Sequence, residues 1–118
     1  MPTERERCDD ILGAGNAILG EVNGHDEKAF IASAGLQAAC HYRFVVIGEA
    51  ANALLNGCPS EVAQCGPDLS TDMTYAKRMR DFLAHQYFAV DPARTWDTIQ
   101  KDLGRLLNGV AILQALLP

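Results

Sequence analysis

The chain has 118 residues, a net charge of −5 and four cysteines, with 48% hydrophobic and 21% charged residues. That length suits a single domain, residues 1–118, whose core needs no disulfide or metal staple. The composition excludes a disordered or repetitive chain, and the acidic balance argues against a surface that coats polyanions, although a local basic patch can still hold a few phosphates.

Thr3-x-x-Glu6 has the form of a capping box, and Cys8, Ile11, Leu12, Ile18, Leu19 and Val22 follow it at helical spacing. A first helix is predicted to run to about Asn23 and to stop near Gly24. Asp26 can cap a short helix from Glu27 to about Ala32. Leu36, Cys40, Phe44, Ile47, Ala51 and Leu54 then mark a long helix to about Asn56, with Gly57 and Pro59 as its stop. From Phe44 to Ala51 that helix is apolar almost all round, which places it at the centre of a bundle and makes Glu49 a candidate buried carboxylate, with Arg43 or Lys77 as its partner.

The segment Cys58 to Asp72 is rich in Pro, Gly, Ser and Asp and is predicted to be the open connection of the chain. A further helix is expected from Asp72, its stripe formed by Ala76, Met79, Phe82 and Leu83. Asp91-Pro92 opens the last helix, whose apolar face runs from Trp96 through Leu113. No run alternates with period two, so the fold expected is all-α.

The longest apolar stretch, Phe44 to Leu55, is broken by Glu49 and Asn52 and falls short of the about 20 residues that span a bilayer. The N-terminus carries no apolar signal segment, and a cytoplasmic location is expected. In that setting Cys8, Cys40, Cys58 and Cys65 are expected to be reduced, with a Cys58–Cys65 disulfide as the lesser alternative. Their spacing matches no metal knuckle or redox pair, and no metal site is expected.

The segment Lys77-Arg78-Met79-Arg80-Asp81-Phe82-Leu83-Ala84-His85-Gln86-Tyr87 concentrates the chemistry. Histidine takes and gives protons near neutral pH, and the planar arginine fork spreads charge over phosphate oxygens. Together they form a minimal kit for RNA cleavage: His85 would take the 2′-hydroxyl proton and Arg80 would stabilise charge at phosphorus. Residues five apart on one helix sit about 140° from each other, so a regular helix does not converge Arg80 and His85. Either the helix ends or distorts near His85, or a two-fold dimer brings a second copy of the pair into one cleft, which is the preferred solution.

Arg80-x4-His85-x-Tyr87, followed by Val90-Asp91, Trp96, Ile99 and Leu103, resembles the R-x4-H-x-Y signature of the HepT-like toxins in the HEPN superfamily. Asp10-Ile11-Leu12, Asp26-Glu27-x-x-Phe30 and Ile47-Gly48-Glu49-Ala50 resemble the same family, and the likeness covers roughly Asp9 to Leu107. It implies a four- to five-helix HEPN-type bundle forming a two-fold homodimer, with a ribonuclease site at the dimer cleft that works without metal or other cofactor. Arg80 and His85 would be catalytic, the product would carry a 2′,3′-cyclic phosphate, and Lys77, Arg78 and Asp81 would contact RNA. The implied partner is a minimal nucleotidyltransferase antitoxin that transfers AMP to Tyr87, placing anionic phosphate where it repels substrate.

Departures from the family pattern are Asp81, where Asn is common after the motif Arg, the polar run Pro67 to Asp72, and Gly104 in place of a frequent Pro. Asp81 and the net acidity support a second reading, an inactive helical dimer serving as a nucleotide-binding or docking partner of the nucleotidyltransferase. A third, a thiol or metal protein using Cys40, Cys58, Cys65, His25 or His41, lacks a compact ligand spacing.

Overall fold

A computed structural model describes residues 1–118. Thr3 opens α1 (Glu4–Val22): its hydroxyl accepts the Glu6 N–H at 3.1 Å while the Glu6 carboxylate accepts the Thr3 N–H at 3.1 Å. The helix ends at a turn in which Gly24 adopts φ +80°, a conformation other residues rarely take. Asp26 caps α2 (Glu27–Ala32) by accepting the Ala29 N–H at 2.8 Å, and the buried Phe30 ring meets Trp96 at 5.5 Å. Ser33 then caps α3 (Ala34–Gly57), the longest helix.

The predicted open connection from Cys58 to Asp72 is corrected by the structure. It contains α4 (Pro59–Gln64) and the first turn of α5 (Pro67–His85), so α5 starts five residues ahead of the expected Asp72. Both helices carry Pro at their start, where the ring presets φ and the missing N–H would have had no partner. Val62 and Leu69 are buried and hold the two pieces to the core. Only Cys65 and Gly66, the latter at φ +96°, remain as a hinge between them.

One 3₁₀ turn, Tyr87–Ala89, separates α5 from α6 (Pro92–Thr98), which Asp91 caps through the Ala93 N–H at 3.0 Å. A π turn, Ile99–Leu103, carries α6 into α7 (Gly104–Leu116) without a break in helical backbone angles. The wider turn shifts the helical register, so that Ile99 and Leu103 stay buried together with Leu106, Val110 and Leu113.

These pieces make an all-α bundle of four long helices: α1, α3, α5 and the α6–α7 rod. Helix α3 lies at the centre with α1 on one side and α5 on the other, α7 packs across α1 and α5, and α2 rests on α6. Their buried side chains form one contiguous core. No helix is long and apolar enough to cross a membrane.

All four cysteines are free; Cys8, Cys40 and Cys58 are buried and Cys65 is half-buried. Burial pushes the Cys8 and Cys40 thiols up to about 11, so both stay protonated and inert near neutral pH. No disulfide joins Cys58 to Cys65.

Few polar side chains enter the core. Asp72 is one, and both its oxygens accept from Arg105 at 2.8 Å. His41 is another: its Nε2 shares a 2.9 Å hydrogen bond with the Thr95 hydroxyl, while Nδ1 is buried with no partner. Burial lowers the His41 pKa from its ordinary 6.5. The unfolded chain therefore binds more protons than the folded one below that value, and the stability contributed by neutral His41 is present above pH 6.5 and lost as pH falls beneath it. Between pH 8 and pH 5 the melting temperature of the parent is expected to fall further than that of a His41→Gln protein. Equal falls in thermal unfolding scans would remove His41 from the acid response.

Candidate functional site

Met73, Ala76 and Leu83 fix the buried direction of α5. Arg80 stands on the edge that faces α3, and it reaches α3 closely because Gly48 has no side chain. A Cβ added at Gly48 would lie 2.7 Å from the Ala76 carbonyl oxygen and nearer still to the Arg80 Cβ. The Arg80 side chain, only 18% exposed, spreads its fork over two carboxylates: Nε and Nη2 donate to Asp81 Oδ1 at 3.0 and 2.7 Å, and Nη1 lies 3.2 Å from Glu49 Oε1. The hydrogen bond to Asp81, and then the Glu49 charge, raise the Arg80 pKa, so the guanidinium is charged at any working pH. In return the Arg80 hydrogen bond holds the Asp81 carboxyl below the usual carboxylate range.

Glu49 is not the buried carboxylate expected from the apolar run of α3. Its side chain is 61% exposed and its partner is Arg80, whereas Arg43 pairs with Glu21 at 3.4 Å and Lys77 makes no ion pair. The reason is again Gly48, which opens the packed face just beside Glu49 and lets an α5 side chain lie over it.

His85 is the last residue of α5 and is exposed; the Gln86 N–H closes the helix on the Phe82 carbonyl at 2.8 Å. Helix termination at His85 is one of the two ways by which the sequence could depart from a regular 140° separation. Within one chain the Arg80 fork is nevertheless spent on Glu49 and Asp81, and no hydrogen bond joins it to His85. Tyr87 begins the 3₁₀ turn, half exposed, and stands edge-on to the His41 ring at 5.5 Å. Lys77 is half-buried and Arg78 exposed on successive positions of the same helix.

Sequence reasoning passed over His41 as a contact of the motif tyrosine. Its signal was present: His41, Phe44, Gly48 and Ala51 recur at three- and four-residue steps along the buried face of α3. No three His, Cys, Asp or Glu side chains converge as a metal cluster.

Comparison with protein families matches residues 9–111, from α1 into α7, to HepT-like, described as ribonuclease HepT-like. The chain belongs to the HepT-like family. It is thus, at family level, a HEPN-type ribonuclease toxin, and the matched span includes the whole of α5 together with Gly48 and Glu49 of α3. Comparisons with curated proteins and with solved structures return no match.

Proposed function

We propose that the chain is an endoribonuclease toxin that cleaves RNA by transfer to the neighbouring 2′-hydroxyl, with no metal ion in the reaction. His85 takes the 2′-hydroxyl proton, the freed oxygen attacks the adjacent phosphorus, and the bond to the 5′-oxygen of the next nucleotide breaks as that oxygen takes up a proton from solvent, to which His85 releases its own. A 2′,3′-cyclic phosphate remains on one product and a 5′-hydroxyl on the other. Arg80 stabilises charge on the non-bridging oxygens, and Lys77, Arg78 and Asp81 contact the RNA around it. The observation that carries the reading is the pairing of a packed, permanently charged Arg80 with an exposed His85 on one helix of a HepT-like chain.

Because Arg80 and His85 point to different sides of α5, the reading includes a homodimer whose cleft holds both residues from two copies. Tyr42, Tyr87 and Phe88 are all exposed, Phe88 at 91%, and supply apolar surface for that contact. Tyr87 is the acceptor for AMP from a nucleotidyltransferase antitoxin; the phosphate added there repels RNA and blocks the site. The experiment is incubation of unmodified protein with total RNA and tRNA in EDTA, with product ends and intact mass both determined. Cyclic-phosphate ends from a protein with a bare Tyr87 support the reading, and intact RNA removes it.

The second reading, an inactive HEPN-type dimer that docks with or binds nucleotides for a nucleotidyltransferase, rests on the two carboxylates that already occupy Arg80. Glu49→Gln tests whether that occupation limits the first reading. If RNA phosphate competes with Glu49 for the guanidinium, KM for RNA is expected to fall severalfold in this variant, more so at low salt where exposed charges are least screened. An unchanged KM would show that Glu49 does not compete.

A further inference from the structure

On the edge of α5 away from Arg80 runs a groove of about 310 Å³, walled by α5 on one side and by the segment from Ala89 to Thr98 on the other. Met79 lies in its apolar lining, and Tyr75 and Phe82 line it while each remaining 41% exposed. The Tyr75 phenol and the Thr98 hydroxyl meet at 3.3 Å inside it. Arg78 and Arg94 both line the groove, and neither side chain makes an ion pair or hydrogen bond within the protein. The only carboxylate of the lining is Asp91, one of whose oxygens is already occupied by the α6 cap.

We propose that this groove binds one nucleotide of single-stranded RNA next to the scissile position, with the base against Phe82 and Tyr75 and its phosphate held by Arg78 and Arg94. The role beside a scissile position rests on the ribonuclease reading above; the nucleotide site itself does not. Three observations favour this occupant. The volume stands at the lower end of the about 300–1,000 Å³ typical of small-ligand sites, enough for a base and its sugar. Aromatic faces beside free guanidinium groups match the stacked base and anionic backbone of a single strand. Arg80 is already engaged by Glu49 and Asp81, so capture of an incoming phosphate falls to cations without partners.

The position also fits. Arg78 and Phe82 precede His85 by seven and three residues and share its edge of α5, so a strand held at Arg78 has roughly 10 Å, two helical turns, to reach His85. Arg78 therefore acts in anchoring the neighbouring nucleotide and has no part in the bond that breaks.

The test is calorimetric titration of the intact chain with each of the four nucleoside 5′-monophosphates and with ribose 5-phosphate. At least one nucleotide is expected to bind about tenfold or more tightly than ribose 5-phosphate, as a stacked base requires. Phe82→Ala should abolish that difference, and Arg94→Ala should weaken nucleotide and sugar phosphate alike. Both residues are at the surface, and circular dichroism checks that each variant keeps its helices. His85→Ala should bind as the parent does.

Absence of binding, equal affinity for sugar phosphate and nucleotides, or affinities untouched by Phe82→Ala and Arg94→Ala would overturn the site. So would a Phe82→Ala protein that changes from dimer to monomer in sedimentation with nucleotide affinity intact, since the groove would then be a contact between copies. RNA cleavage by the parent is read separately: nucleotide selectivity without cleavage sustains the groove and removes the ribonuclease reading, whereas cleavage without nucleotide selectivity does the reverse.

Discussion

Arg80→Ala and His85→Ala proteins are expected to cleave RNA about 10²- to 10⁴-fold more slowly than the parent, and to fail in different ways. His85 is exposed at the end of α5 and supports no core contact, so its removal takes away proton transfer and little else. The expected signature is a fall in kcat with KM near the parent value. Loss of Arg80 also leaves Glu49 and Asp81 facing the substrate as uncompensated carboxylates, which repel phosphate. There kcat should fall and KM should rise together. Arg80→Lys restores a charge but not the fork that spans both carboxylates, so it should recover part of KM and little of kcat. Steady-state kinetics on a defined oligonucleotide, with the mass of Tyr87 checked, reads all three variants. A His85→Ala protein cleaving at the parent rate would remove the mechanism.

Much of this fold could be read from the chain, and the limits were physical. Local signals did well where the effect is local: Thr3 with Glu6, Asp26, and Asp91 before Pro92 are caps by chemistry alone, and all three cap helices. Pro59 and Pro67 misled because Pro, Gly and Ser usually mark a loop, while Pro at the first turn marks a helix start. The deciding information was Val62 and Leu69, single buried residues too few to show a period. The separation of Arg80 from His85 follows from 100° per residue and needs no tertiary knowledge. Their surroundings do need it. That Arg80, and neither Arg43 nor Lys77, would meet Glu49 depends on where α5 crosses α3, which 19 and 24 residues of helix leave undetermined until they pack.

The crossing itself makes the second large prediction. Gly48→Ala is expected to destabilise the fold and to slow cleavage, although alanine is the better helix former. The added methyl meets the Ala76 carbonyl, which belongs to a hydrogen-bonded backbone and cannot rotate away, so α3 and α5 must move apart. Overpacking of this kind costs about 1–3 kcal/mol, against which the gain in helix propensity returns up to about 1 kcal/mol. Two other glycines serve as references. At Gly15 the methyl meets only side-chain carbons of Leu107, which can adopt another rotamer, and at Gly104 it meets nothing within 4 Å. Stability in urea should therefore rank Gly104→Ala above the parent, Gly15→Ala near or below it, and Gly48→Ala lowest. Only Gly48→Ala should also lower the cleavage rate under conditions where the protein is fully folded, because the same methyl displaces the Arg80 Cβ and pulls the guanidinium from its place over Glu49. If Gly48→Ala matched Gly104→Ala in both measurements, the close crossing would not be what positions Arg80.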